Sequence, residues 1–254
     1  MKPWLLFFGS ILLSCGIDVR RLKYLKYLPL YLRQYREYKK LGGAITHPRV
    51  ILSDFHETAG TAHGHYFHQD LLVASYIFQK KPKVHIDIGS RIDGFVAHVA
   101  SFRAIEIMDI RALPNTGHDN IRFIQANLME PGKYCEVADS ISCLHAIEHF
   151  GLGRYGDPLD PKGYVKGFQN ILRLLKPDGD LYISFPICSN PKVQFNEQRI
   201  FGPQEILDWA PKQSFVITQF DYIDDGGELH KNTDLKKFDA YLKNGCGIYT
   251  IKKN

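Results

Sequence analysis

The sequence predicts an α/β fold, a doubly wound and mostly parallel sheet preceded by a helical extension. Three observations predict it. Short apolar runs alternate with helical patterns over most of the chain, the order of strands and crossover helices in a parallel sheet. One such run, Lys83-Val84-His85-Ile86-Asp87-Ile88, ends in Gly89-Ser90-Arg91-Ile92-Asp93-Gly94 and passes directly into the helical pattern Phe95-Val96-Ala97-His98-Val99-Ala100. The 254 residues suffice for one such domain with a full core plus an extension, divided at 1–65 and 66–254.

The extension opens on an apolar stretch. Lys2 precedes Trp4-Leu5-Leu6-Phe7-Phe8-Gly9-Ser10-Ile11-Leu12-Leu13, and Leu12-Leu13-Ser14-Cys15 is a loose lipoprotein-like ending. The stretch is too short to span a bilayer, and a buried or membrane-surface helix is preferred over a cleaved signal. Over 17–41, Leu22, Leu25, Leu28 and Leu32 recur at helical spacing with Tyr24, Tyr27, Tyr31, Tyr35 and Tyr38, and Pro29 should split the helix. Arg20 to Lys40 holds eight basic residues and one acid, so +7 of the chain's +5 net charge is local and the remainder sums to about −2 (5 − 7). Such a helix either lies in a lipid headgroup interface or packs across a sheet edge with a solvated basic face; the second is preferred.

A mixed segment (42–65) with Gly42-Gly43, Pro48 and Gly60 leads to a helix at 67–79. Strands follow at 83–88, 104–109, 121–126, 139–145 and 179–185, with helices at 93–101 and 162–176. The second helix ends in Leu174-Leu175-Lys176-Pro177-Asp178-Gly179, a stop signal. Runs at 214–223 and 246–252 read as a late antiparallel edge. The apolar fraction of 44% and charged fraction of 23% are ordinary for a globular chain, and the local basic character excludes general nucleic-acid binding. Five widely spaced cysteines without a Cys-x-x-Cys pair read as reduced thiols in a cytosolic protein, with peripheral membrane contact left to residues 1–40.

The glycine turn after Ile88 places backbone N–H groups and a helix start against a ligand. Arg91 stands where a dinucleotide fingerprint needs its middle glycine, which disfavours NAD(P) and a pyrophosphate. S-adenosylmethionine (SAM) has no phosphate; Asp87 suits its ammonium group, Gly89 lets it lie on the backbone, and Asp109, 20 residues on (109 − 89), is placed to accept both ribose hydroxyls. A tight turn capped by Ser90 or Asp93 explains the glycines without a ligand, but not Asp109.

The densest loop is His145-Ala146-Ile147-Glu148-His149-Phe150-Gly151-Leu152-Gly153-Arg154-Tyr155-Gly156-Asp157-Pro158. Its glycines suggest backbone shaped around a ligand. His149 beside Glu148 offers a general base, equally well a core histidine, and Arg154 a fork for an anionic substrate. Asn196 and Arg199 follow the fifth strand and are either a second substrate contact or a salt-bridged loop. His63, His65 and His68 lie at spacings of two and three with no convergent carboxylate, so no metal site follows. Gln69-Asp70 open a helix that could close over the cofactor.

Asp87-x-Gly89, Asp109, Glu148-His149 and Leu174-Leu175-Lys176-Pro177-Asp178-Gly179-Asp180-Leu181 together resemble a class I SAM-dependent methyltransferase. More narrowly, Asp87-Ile88-Gly89-Ser90-Arg91, Tyr66-Phe67-x-Gln69-Asp70, Gly151-Leu152-Gly153-Arg154-Tyr155-Gly156-Asp157-Pro158 and Phe195-Asn196-x-x-Arg199 resemble a domain-of-unknown-function branch of that superfamily, often found beside surface-polysaccharide genes in bacteria. The resemblance spans roughly 16–252. It implies a Rossmann-like, seven-stranded sheet and a SAM-binding domain at 66–254. Asp87 and Gly89 would then meet the methionine end, Asp109 the ribose, and Ile110, Asn127 and Leu128 the adenine, with Ser90, Arg91 and His145 also binding the cofactor. His149 and Glu148 become catalytic, while Arg154, Tyr155, Asp157, Asn196 and Arg199 would meet a small polar, glycan-related or phosphorylated acceptor. Asn127 stands where many relatives carry an acid, and its amide oxygen can still accept. The competing reading is a SAM-fold subunit that binds without transferring, in a membrane-associated glycan assembly complex.

Overall fold

The structure is a computed structural model and describes residue 9 and residues 11–254. The apolar stretch read as a signal or packed helix lies largely outside the described residues. The chain divides into two units, Met1–Thr61 and Ala62–Asn254, a few residues before the expected boundary.

In the first unit, Asp18 caps a 3₁₀ helix, Val19–Tyr27, by accepting from the Arg20 N–H. Helix α1 (Leu28–Lys40) follows, with Pro29 in its first turn, where a missing N–H costs nothing. Pro29 thus separates two helices as its position predicts. Neither helix buries a residue. The apolar stripe is exposed, Leu22 at 63%. Among the described residues no helix is long and apolar enough to cross a membrane.

In the second unit, α2 (His65–Lys80) precedes a Rossmann-like sheet. Its strands are β1 (His85–Ile88), β2 (Ile105–Asp109), β3 (Ile121–Gln125), β4 (Ala138–Leu144), β5 (Leu175–Ile187), β8 (Phe215–Ile223), β9 (Leu229–His230) and β10 (Gly245–Lys253). They lie in the order β3-β2-β1-β4-β5-β10-β8-β9. The first five are parallel, and β10 runs antiparallel to both β5 and β8. The eighth strand, beyond the seven expected, is the two-residue edge β9, too short to show alternation in sequence. A separate hairpin pairs β6 (Lys192–Gln194) with β7 (Gln198–Ile200).

A π-helical turn, Ile92–Val96, and α3 (Ala97–Ala100) cross from β1 to β2. Helix α4 (Gly163–Leu174) stops where the sequence signals, but β5 begins at once. Lys176-Pro177-Asp178-Gly179 stays in the strand because Asp178 adopts φ +59° and a register shift against β4 absorbs the irregularity. Apolar side chains cover both faces. Ile86, Ile141, Ile183 and Phe185 meet Phe168 and Ile171 of α4, while Ile105, Ile107 and Ile248 meet Val73 and Ile77 of α2. Strand order reverses between β1 and β4, so the loops at their carboxyl ends open onto one crevice.

A buried polar chain fixes that crevice. Ser140 Oγ lies 2.9 Å from His85 Nδ1, and His85 Nε2 lies 3.2 Å from Ser142 Oγ. Ser142 donates at 2.6 Å to Asp87 Oδ1, which also takes the Ser90 hydroxyl at 2.7 Å, while Oδ2 takes the Ser90 N–H at 3.0 Å. The Leu144 N–H closes the circuit on Ser90 Oγ. With Ser142 donating to Asp87, it accepts from His85, so His85 is neutral with its proton on Nε2. Burial drives His85 down to about 3 and lifts the Asp87 carboxyl to about 6 against the pull of its serine partners.

Two outcomes follow for stability. The His85 contribution is complete above pH 6.5, its value in the unfolded chain, and is lost as pH falls toward 3. Chemical unfolding should show wild type losing at most about 1.4 kcal/mol per pH unit more than His85→Gln across that window. Asp87→Ala strands three donors and should cost about 2–4 kcal/mol. Asp87→Asn, which keeps an acceptor oxygen, should cost less in the same measurement.

Candidate functional site

The crevice has an inner slot of about 60 Å³ and an outer cleft of about 650 Å³. Gly89, Asp109, Arg111, His145, His149 and Tyr155 line both, so the two are continuous. Apolar side chains of Ile88, Met108, Ile110, Ala126 and Leu128 line the slot, with Asn127 beside them. Gly89 turns at φ +67°, and a Cβ there would meet the Ala146 Cβ at 3.1 Å. Only glycine lets the backbone pass so close to the loop after β4.

Asp109 ends β2 at the slot's mouth, its side chain 14% exposed. Arg111 holds it: Nε and the backbone N–H reach Oδ1 at 3.0 and 2.8 Å, and Nη2 reaches Oδ2 at 2.6 Å. The same guanidinium lies 4.3 Å over the Tyr155 ring, bridging β2 to the loop after β4. Sequence reasoning missed Arg111, although an Asp-x-Arg spacing places a fork within reach of a carboxylate.

The loop after β4 is pinned from within. Asp157 accepts from the N–H groups of Gly151, Gly153 and Tyr155 at 2.7, 3.2 and 3.2 Å. Gly151 at φ +81° presses on Asp160, leaving no room for a side chain. Glu148 is fully buried, and its Oε1 lies 2.8 Å from His145 Nδ1. Burial works against the His145 imidazolium, but Cys246 and Glu148 outweigh it and push the group well above the ordinary histidine range.

His149 behaves differently. Its Nδ1 lies 2.7 Å from the Glu197 carbonyl, which can only accept. The neutral ring therefore carries its proton on Nδ1 and its lone pair on Nε2, 3.8 Å from Glu148 Oε1. Burial lowers its pKa by more than Glu148 raises it. The Glu197 carbonyl also takes Arg154 Nη1 at 3.0 Å. A backbone acceptor of this kind leaves no trace in sequence.

Twelve of the predicted residues line the crevice: Gly89, Ser90, Arg91, Asp109, Ile110, Asn127, Leu128, His145, His149, Arg154, Tyr155 and Asp157. Four do not. Asp87 lies wholly buried under the turn, so its expected ammonium contact is corrected to a structural role. Glu148 sits behind the two histidines. Arg199, 5% exposed, donates to the carbonyls of Glu148, Phe150 and Asp160 and holds the loop rather than a substrate. Asn196 is exposed at the tip of the β6–β7 hairpin. Gln69 and Asp70 are buried rather than poised as a lid, Gln69 accepting from Ser184. Two residues read in sequence without any shared role are joined by the fold: the structure brings His65 and Cys246 to His145, their ligating atoms all within 4.8 Å of one another. His65, lowered to about 4 by burial and by His145, stacks on that ring at 5.3 Å.

The fold is shared with solved methyltransferases. The 1,6-didemethyltoxoflavin-N1-methyltransferase of Burkholderia thailandensis, crystallised with 1,6-didemethyltoxoflavin and S-adenosylhomocysteine, is 16% identical over 73% of this chain and 78% of its own, with a TM-score of 0.53. The N-methyltransferase NodS of Bradyrhizobium japonicum WM9, in complex with S-adenosylhomocysteine, is 9% identical over 75% and 88%, with a TM-score of 0.51. The [4+2]-cyclase SpnF is 13% identical over 75% and 87%, with a TM-score of 0.52. No curated protein matches the sequence. The family described as Caenorhabditis protein of unknown function, DUF268, matches residues 113–244, more than half of the chain, and the chain belongs to it.

Proposed function

We propose that this protein is a SAM-dependent methyltransferase whose acceptor is small, polar and anionic, of the glycan-related or phosphorylated kind. The observation that carries the reading is the pairing, across one apolar slot, of Asp109 at the carboxyl end of β2 with the left-handed Gly89 turn after β1. The residues fit the cofactor. Asp109 would hold the ribose hydroxyls, the Gly89-Ser90 backbone the aminoacyl end, and Ile110, Asn127 and Leu128 the adenine. Bound SAM supplies a methyl group on a sulfonium centre that departs as a neutral thioether.

The chain's own contribution is placement and proton removal. His149 presents the Nε2 lone pair to the crevice, fixed in that tautomer by the Glu197 carbonyl, and can take the proton of an acceptor hydroxyl. Glu148, 3.8 Å away, steadies the imidazolium that results. Arg91, Arg111 and Arg154 line the outer cleft and favour an anionic acceptor. Enclosure by Tyr155 and the pinned loop limits water and holds the acceptor in line.

Calorimetry with S-adenosylhomocysteine tests the cofactor. Asp109→Ala should weaken binding tenfold or more, about 1.4 kcal/mol or above, and unchanged affinity would end the assignment. Arg111→Ala removes the competitor for Asp109 and should tighten binding. Transfer is read as S-adenosylhomocysteine release from SAM over a panel of hexoses and hexose phosphates. His149→Ala should cost on the order of 10²–10⁴ in turnover at unaltered cofactor affinity. The acid limb of the wild-type pH profile should lie below 6.5, since burial lowers His149. Cofactor binding with no turnover on any acceptor would favour the non-transferring subunit instead.

A further inference from the structure

We propose that His65, His145 and Cys246 form a binding site for a divalent transition metal of borderline softness, zinc being the best match. Among the described residues these three alone bring ligating atoms together as a His/Cys/carboxylate cluster, all within 4.8 Å. They come from three places: His65 opens α2, His145 follows β4, and Cys246 lies in β10. No local sequence pattern could show the set, and it replaces the expectation that the histidine run carries no metal.

Two independent observations point to a ligand. His145 Nε2 is buried and has no hydrogen-bond partner, while the side chain is only 6% exposed. Its other nitrogen is committed at 2.8 Å to Glu148, so Nε2 is the atom it offers. That is the arrangement of a metal-bound histidine, in which a carboxylate fixes the ring and raises its donor strength. Cys246 is fully buried, and the hydrogen bonds its thiol makes, to Gln69 Oε1 at 3.8 Å and Gly247 O at 3.7 Å, are long and weak.

The donor set selects the metal. Two imidazoles and one thiolate suit zinc over calcium or magnesium, which take oxygen. Bonds of about 2.0 Å to nitrogen and 2.3 Å to sulfur place tetrahedral ligands nearer one another than 4.8 Å, so binding draws the three side chains inward. Binding displaces the thiol proton and any proton on His145 Nε2 to solvent and leaves one position open, the pattern of catalytic zinc rather than closed structural zinc. His145 also lines the cleft, so the metal is placed to polarise a bound acceptor oxygen; that last role alone rests on the methyltransferase reading.

The test uses the full chain with the exposed Cys15 and Cys135 changed to serine. Cobalt(II) should bind one per chain with an intense near-ultraviolet thiolate-to-cobalt band, and zinc(II) should displace it. Cys246→Ser should abolish the band, and His65→Ala and Glu148→Gln should each weaken zinc(II) at least tenfold, with circular dichroism reporting the fold. X-ray absorption of the zinc-loaded protein should show one sulfur and two imidazoles. Absence of the band, a band that survives in Cys246→Ser, or zinc without a sulfur ligand would overturn the site. Calorimetry with S-adenosylhomocysteine on the metal-stripped wild-type protein keeps the two proposals separate, because it removes the metal and leaves every side chain in place.

Discussion

The site depends on one buried carboxylate. Asp87 cannot reach solvent, yet three donors converge on it: the Ser90 N–H, the Ser90 hydroxyl and the Ser142 hydroxyl. They join the end of β1 to the turn beyond it and to β4 alongside. With Ser90 held, Gly89 is forced through its left-handed turn against Ala146, and the loops after β1 and β4 acquire a fixed separation. The crevice exists because a charge too costly to bury alone is surrounded by donors at the strand ends. His85 extends the network along the same two strands, which is why a histidine can occupy the centre of a parallel sheet.

That dependence explains what the sequence could and could not convey. The sheet was legible because helical patterns separate β1 from β2 and β4 from β5, and because β1, β2 and β4 each end at a glycine, an acid or a histidine. Gly89 and Asp109 were legible because a turn and a strand end have local signatures. Asp87 was misjudged for a physical reason: the side chain that shapes a turn and the one that touches its ligand can be the same residue type, and burial alone separates them. Arg199 and Asp157 share that ambiguity, since both spend their charge on backbone groups of the loop. His65 and Cys246 were illegible because proximity across α2, β4 and β10 is a property of topology, not of spacing. Edge strand β9 is too short for any period to register.

The two histidines of the loop show how position divides chemistry between identical side chains. His145 and His149 flank one carboxylate, at 2.8 and 3.8 Å. The shorter contact commits His145 Nδ1 to Glu148. The longer one leaves His149 free to bond the Glu197 carbonyl; burial lowers His149, whereas Cys246 and Glu148 push His145 up against burial. A base that must accept a proton near neutrality belongs where His149 is. A group that must attract or carry positive charge belongs where His145 is.

Glu148 makes that division exacting. It is wholly buried, only Oε1 is hydrogen-bonded, and Oε2 has no partner. A carboxylate so placed costs several kcal/mol unless positive charge lies beside it. Arg199, 5% exposed, gives its donors to carbonyl oxygens, including that of Glu148 itself, and leaves the carboxylate unpaired. The group that faces it is His145, which carries on Nε2 either a proton or, on the metal proposal, a cation from the pocket it shares with His65 and Cys246. On the metal proposal the cation also satisfies the orphaned nitrogen. The fold itself is indifferent to this choice, since it also houses a [4+2]-cyclase. What sets this chain apart within the fold is therefore the loop after β4, where Glu148 holds His145.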